Sequence, residues 1–266
     1  MDWLSQLDAQ KFLLFTLVFT RVGGLVITAP IFSAPEVPAR VRALLAVALA
    51  ALITPTQWDV AVADPGSTLN YAVFLASELI VGLSLGLGIV ALFSGLLLAG
   101  RMIGQMSGLV LADVFDPASG ISVSVFSRLM MLVTTAVFVA IGGHRILMAG
   151  LLDTFVTIPP GSAAVPGSMA DTFVLLVAQS FTLAVRAAAP VVASLLLSTL
   201  ALGLISRTLP QLNVLALGFG VNALLTFGVL GLSLGAAAWV FQEQVEPAVD
   251  ILLSALDAPL ETTRGP

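Results

Sequence analysis

Three charged side chains stand inside apolar runs of this chain, Arg21, Glu78 and Arg186, and they are the first residues to question for chemistry. A charge at the centre of a membrane helix costs at least about 2.5 kcal/mol, so each must face protein or water and not lipid. Two uses fit them: a proton or ion relay, or a structural ion pair or a charge on an intersubunit surface. Three unlike charges on three runs, with no intramembrane Asp or Lys beside them, favour the structural use. Other chemistry is thinner. The one His, His144, cannot build a His-rich metal site, and following Gly142-Gly143 at the end of an apolar run it reads as a hydrogen-bonding anchor. The chain has no Cys, which excludes disulfides, thiolate nucleophiles and Cys-ligated metals. There is no HExxH, GxSxG, P-loop or dinucleotide-type glycine motif. No catalytic, cofactor or metal site is expected.

The elements that must hold these charges are membrane helices. Of 266 residues 59% are hydrophobic and 9% charged, against about 45–50% and about 25% in a soluble domain. The formal charge of -5 and the lack of a basic run exclude a nucleic-acid partner. Asp2 and Asp8 stand where a signal peptide needs basic residues, so Met1 is expected to start the mature chain. Six apolar runs approach or exceed the length of a membrane span: Phe12 to Phe32, Val41 to Thr54, Tyr71 to Gly100, Leu129 to Met148, Phe173 to Ser206 and Leu212 to Gln242. Pro- and Gly-containing linkers separate them, as at Pro35 to Pro38, Pro55 to Ser67 and Pro159-Pro160-Gly161. The expected fold is all-α: one integral membrane domain over residues 1–266, with about six long helices in hairpins, kinks at Pro and Gly, and an irregular loop after the third run. Basic residues at Arg40, Arg42, Arg101, Arg128 and Arg207 place the odd-numbered loops in the cytoplasm. The fifth and sixth runs hold 34 and 31 residues, about 50 Å of helix against a hydrocarbon core of about 30 Å. Tilt and a kink at Pro190 absorb part of that excess, and cover by other subunits suits the remainder.

Packing signals lie on the same runs. Gly82 with Gly86, then Gly100, Gly104 and Gly108, then Gly231 with Gly235 repeat at four residues, which stacks small residues on one helix face and lets backbones approach. The stretch Gly108 to Phe126 turns at Asp116-Pro117 and Gly120 while keeping Val114, Phe115, Ile121, Val123 and Phe126 apolar. Irregular backbone at membrane depth is tolerated only where protein buries it or where it lines a water-filled cavity. Such a loop either closes a pore by dewetting or steric plugging, or is an ordinary exposed connection. Met102 and Met106, one turn apart just before it, serve either as a deformable seal or as core filler.

The ordered set of segments resembles the FliR family of flagellar biosynthesis proteins and their SctT (SpaR-like) counterparts in type III secretion. It comprises Arg21 with Ala29-Pro30, Val41 to Ala46, Glu78 with Gly82 and Gly86, and Ala99-Gly100 with Ile103-Gly104. It continues with Asp116 to Ser119, Gly143-His144 with Asp153-Thr154-Phe155, Pro159 to Gly161, Leu202 to Leu204 with Arg207, Pro210 to Asn213, and Gly218-Phe219. Arg101 and Gln105 depart from the family pattern. The resemblance implies a structural subunit of the export gate in the bacterial inner membrane, at the flagellar basal body or injectisome base. Its implied partners are FliP-like and FliQ-like subunits, FlhB-like and FlhA-like components, and unfolded exported proteins. It further implies a plug loop over residues 107–127, a FliQ-like hairpin over 172–242 with Arg207, Pro210, Gln211 and Asn213 at its cytoplasmic turn, and a short acidic tail over 243–266. The rival expectation is a small-solute transporter or channel, and a membrane enzyme is a distant third.

Overall fold

Proline and glycine set the ends of the helices, as elementary backbone sterics require. The computed structural model describes residues 9–34, 36–109, 124–163, 167–209, 211 and 213–257. Helix α1 (Ala9–Thr28) runs through the first apolar stretch and stops before Pro30. Its hydroxyls are satisfied on its own backbone: Thr20 Oγ1 donates to the Thr16 carbonyl at 2.7 Å and Thr28 Oγ1 to the Gly24 carbonyl at 2.8 Å. Helix α2 (Ala39–Ile53) starts after Pro38 and tightens into a 3-10 turn, Thr54–Gln57, that contains Pro55. Helix α3 (Thr68–Ser107) is an uninterrupted 40 residues, about 60 Å. It ends at Gly108, whose φ of 74° is the left-handed value that closes a helix.

Helix α4 (Val125–Ala140) and helix α5 (Gly143–Thr157) meet at a 65° bend. Helix α6 (Met169–Thr208, 40 residues) contains Pro190, and helix α7 (Val214–Leu256, 43 residues) contains Pro247. No strand occurs among the described residues. Among the described residues five helices are long and apolar enough to cross a membrane, and the bent α4–α5 pair makes a sixth span if counted as one. The chain is an all-α integral membrane protein.

Three boundaries differ from the sequence expectation. The run Leu129 to Met148 is not one helix, because Gly142 takes φ 75° and starts a new helix in another direction. The third helix passes Gly100 and reaches Ser107, since isolated glycines in a packed apolar helix do not end it. The segment 243–256, expected as an acidic tail, continues α7 through Pro247 and buries Val245, Ala248, Val249, Leu252, Ala255 and Leu256. Its acidic residues, Glu243, Glu246 and Asp250, lie off that buried stripe, so charge composition hid an amphipathic helix end.

Packing divides the chain into two units. One comprises Met1–Ala91, Gly142–Leu176 and Val245–Pro266; the other comprises Leu92–Ile141 and Val177–Gln244. The first has a core of Leu14, Leu17 and Val62 with Leu13, Val60, Phe74 and Leu75 against it. In the second, Phe93 stacks edge-on to Phe138 and Phe241 at 5.5 Å each. Phe126, at the start of α4, packs on Phe227 at 5.6 Å. Edge-to-face rings at these separations add about 0.5–1.5 kcal/mol per pair beyond their area burial.

Candidate functional site

In the first unit, the two sequence-nominated charges find each other. Arg21 on α1 and Glu78 on α3 are both fully buried, and Arg21 Nε donates to Glu78 Oε2 at 2.6 Å. Arg21 Nη1 donates to the Thr154 carbonyl at 2.8 Å and reaches Thr154 Oγ1 at 3.3 Å. The guanidinium lies over the Phe155 ring, 4.4 Å from its centroid. Glu78 Oε1 accepts the backbone N–H of Gly161 at 2.8 Å. Among the described residues, Arg21 Nη2 is the atom of this cluster left without a partner.

The chemistry of that arrangement is structural. A buried pair gains little net energy over apolar residues of equal volume, but removing one partner strands the other and costs about 3–5 kcal/mol. The Arg21–Glu78 pair therefore fixes which helices lie together. It joins α1, α3, α5 and the Pro159-Pro160-Gly161 turn, where Gly161 takes φ 84°. Of the two uses the sequence leaves open, this geometry matches a structural ion pair, and the third charge, Arg186, lies exposed on α6. Arg186, grouped with Arg21 and Glu78 as a charge that must face protein or water, is not enclosed by the described residues of this chain. No described acidic side chain is within salt-bridge distance of it.

Glycines let α1 and α3 approach closely enough to make the pair. A Cβ on Gly82 or Gly86 would overlap the Arg21 carbonyl or the Thr28 side chain, and one on Gly24 would stand 2.8 Å from the Leu79 carbonyl oxygen. The pattern found Gly82 and Gly86 but missed Gly24, which has no glycine at four-residue spacing on its own helix. Thr154 and Gly161 were also missed as pair partners. They act through backbone groups, and the Arg21–Thr154 contact spans 133 residues of sequence.

In the second unit, Gly100 packs against α4, where a Cβ would stand 2.6 Å from the Ser127 Cα. Ser127 Oγ donates to the Leu97 carbonyl at 3.2 Å. Gly104 is buried, and Gly108 faces the Phe219 ring. Met102 is half-buried and Met106 exposed. A Cβ on Gly231 or Gly235 would meet nothing within 4 Å among the described residues, which make no close helix contact there. Ser198 Oγ donates to Asn222 Oδ1 at 2.9 Å, which ties α6 to α7. At the turn between them, Arg207, Gln211 and Asn213 are exposed, and Asn213 Oδ1 accepts the Ala216 N–H at 3.2 Å as a helix cap. Pro210 lies outside the described residues, as do Val114, Phe115, Asp116, Pro117, Gly120, Ile121 and Val123 of the expected plug.

The two long helices remain largely uncovered. The most apolar windows of α6 and α7 are each 22% buried, against 61% for α3. Exposed large residues include Phe181, Leu197, Leu204, Leu224, Leu232 and Trp239.

The family model for bacterial export proteins, family 1, matches residues 12–248. Flagellar biosynthetic protein FliR of Escherichia coli (strain K12) is 32% identical over 229 residues, covering 86% of this chain and 84% of the relative. The FliR of Caulobacter vibrioides is 31% identical over 237 residues, covering 88% and 94%, and that of Bacillus subtilis (strain 168) is 31% identical over 223 residues, covering 81% and 84%.

Proposed function

The chain belongs to the bacterial export proteins, family 1, as a FliR-type, membrane-embedded component of a flagellar export apparatus, and from that premise we propose that it is a structural and gating subunit of the export gate. In this reading it sits in the bacterial inner membrane and helps form the closed pore through which unfolded substrate proteins leave. FliP-like and FliQ-like subunits are its immediate neighbours, with FlhB-like and FlhA-like components beside them.

The observation that carries the reading is the mismatch of α6 and α7. Helices of 40 and 43 residues are about 60 Å long, twice the hydrocarbon core of about 30 Å. Their apolar windows are mostly uncovered. A single chain in lipid would expose apolar side chains to water at one end or the other. Partner helices remove that conflict, as exposed apolar patches of this size signal. The Arg21–Glu78 cluster supplies the complementary property, a rigid internal anchor for helices that are otherwise shared with neighbours.

Gating is assigned to 107–127, the expected plug, with Met102 and Met106, which precede it in the chain, as a seal. Gating is passive in this scheme: the constriction yields when a substrate chain is driven in, and the energy comes from elsewhere in the apparatus. Deleting residues 108–126 from the chain within a reconstituted complex should raise ion leak while the complex stays assembled. An unchanged leak removes the plug assignment. A small-solute transporter predicts instead that the chain alone binds and moves a solute, which liposome flux measures directly.

A further inference from the structure

Arg186 is an exposed guanidinium amid apolar surface, 17 residues from the start of α6 and 22 from its end. Phe181 and Val185 beside it are 57% and 55% exposed. Along its own face, at helical spacing, stand Ala178, Thr182, Ala189 and Ala193, all exposed. Small residues at these positions let another helix come close, as in tightly packed membrane pairs. A second polar group is open at the same place. Pro190 has no N–H, so the Arg186 carbonyl, four residues earlier, lacks its helical donor. Thr182 does not compete for either group, because its hydroxyl donates to the Ala178 carbonyl at 3.1 Å. One spot on the helix thus presents five N–H donors and a carbonyl without its usual helical donor, flanked by small side chains.

We propose that the Ala178–Arg186–Ala193 face of α6 is the docking surface for an apolar helix of a partner subunit that carries an Asp or Glu opposite Arg186. A carboxylate matches the planar fork of the guanidinium in a way that lipid tails and neutral amides do not. The alanines set the close approach that desolvates the pair, which is where such a pair discriminates between partners. The inference rests on the reading of this chain as a subunit of a multi-protein gate, and it adds the chemistry of one neighbour.

The test uses the assembled complex in native membranes. A photoreactive phenylalanine analogue at Ala189, one turn from Arg186 on the same face, leaves the arginine intact. Irradiation should give a covalent adduct with a partner subunit, on an apolar helix within one turn of an Asp or Glu. Arg186→Glu should lower co-purification of that subunit by about tenfold, Arg186→Lys should retain most of it, and changing the partner's acid to Arg should restore the Arg186→Glu complex. An adduct with lipid alone, with a helix lacking an acid, or no adduct from an assembled complex overturns the proposal. So does Arg186→Glu assembling as the unmodified chain does. If the unmodified chain co-purifies with no export subunit at all, the gate reading itself fails, which is a different result.

Discussion

Arg21 and Arg186 are both guanidinium groups set in apolar helices, yet the chain handles them in opposite ways. Around Arg21, in the first unit, two other helices contribute: Glu78 from α3, Thr154 and Phe155 from α5, with Gly161 closing the far side of the carboxylate. Around Arg186, in the second unit, the described residues offer apolar and small side chains and a proline that leaves one carbonyl without its helical donor. A charge satisfied internally defines the fold of the subunit. One left open defines what the subunit still has to meet. The same division appears in the glycines, since Gly82 and Gly86 are filled by α1 whereas Gly231 and Gly235 face open space.

The sharpest way to break this contrast is to remove one side of the buried pair. Arg21→Ala should destabilise the subunit by about 3–5 kcal/mol, because Glu78 is left charged without its partner. Thermal unfolding of the purified complex, or subunit abundance in membranes, reads the loss. The double replacement Arg21→Met with Glu78→Leu should recover most of it, and failure to recover would mean that the pair does more than hold helices together. Overfilling the α1–α3 contact comes next. Gly82→Val should cost about 1–3 kcal/mol by forcing the backbones apart, measured in the same way. Smaller again is the α6–α7 tie: Asn222→Ala should cost about 1 kcal/mol through loss of the Ser198 bond. At the bottom of the scale, Gly231→Ala should leave the subunit's own stability unchanged or raised by up to about 1 kcal/mol, since alanine favours helix and no described residue is near its Cβ. If Gly231→Ala nevertheless weakens the complex, a partner helix lies against it. If Gly82→Val is silent, the close approach of α1 to α3 is not needed.

The pattern of residues reveals much of this architecture and conceals particular parts for physical reasons. Apolar runs and their proline boundaries locate all the long helices, because membrane helices must satisfy their backbones internally and therefore run continuously. The Gly142 bend was hidden, since a glycine within an apolar run reads equally as a packing residue or as a break, and only its φ of 75° decides. The helical end of α7 was hidden behind Glu243, Glu246 and Asp250, whose charge suggests solvent although the opposite face is buried. Within the candidate site, Arg21 and Glu78 were legible because a charge in an apolar run demands a partner. Thr154 and Gly161 were not, because a backbone carbonyl and a backbone N–H carry no signature in residue type. Arg186 was singled out on the same ground as Arg21. The same rule gives opposite outcomes because it states only that a charge must be met, not whether its own chain meets it.

The central claim is that this chain completes its fold only within a heteromeric gate. Native mass spectrometry of the affinity-tagged chain, released gently from membranes that contain the whole export apparatus, tests it most directly. The account predicts one particle in which the chain is bound to FliP-like and FliQ-like subunits, with no appreciable free chain. A stable, monodisperse single chain that carries no other subunit would contradict it.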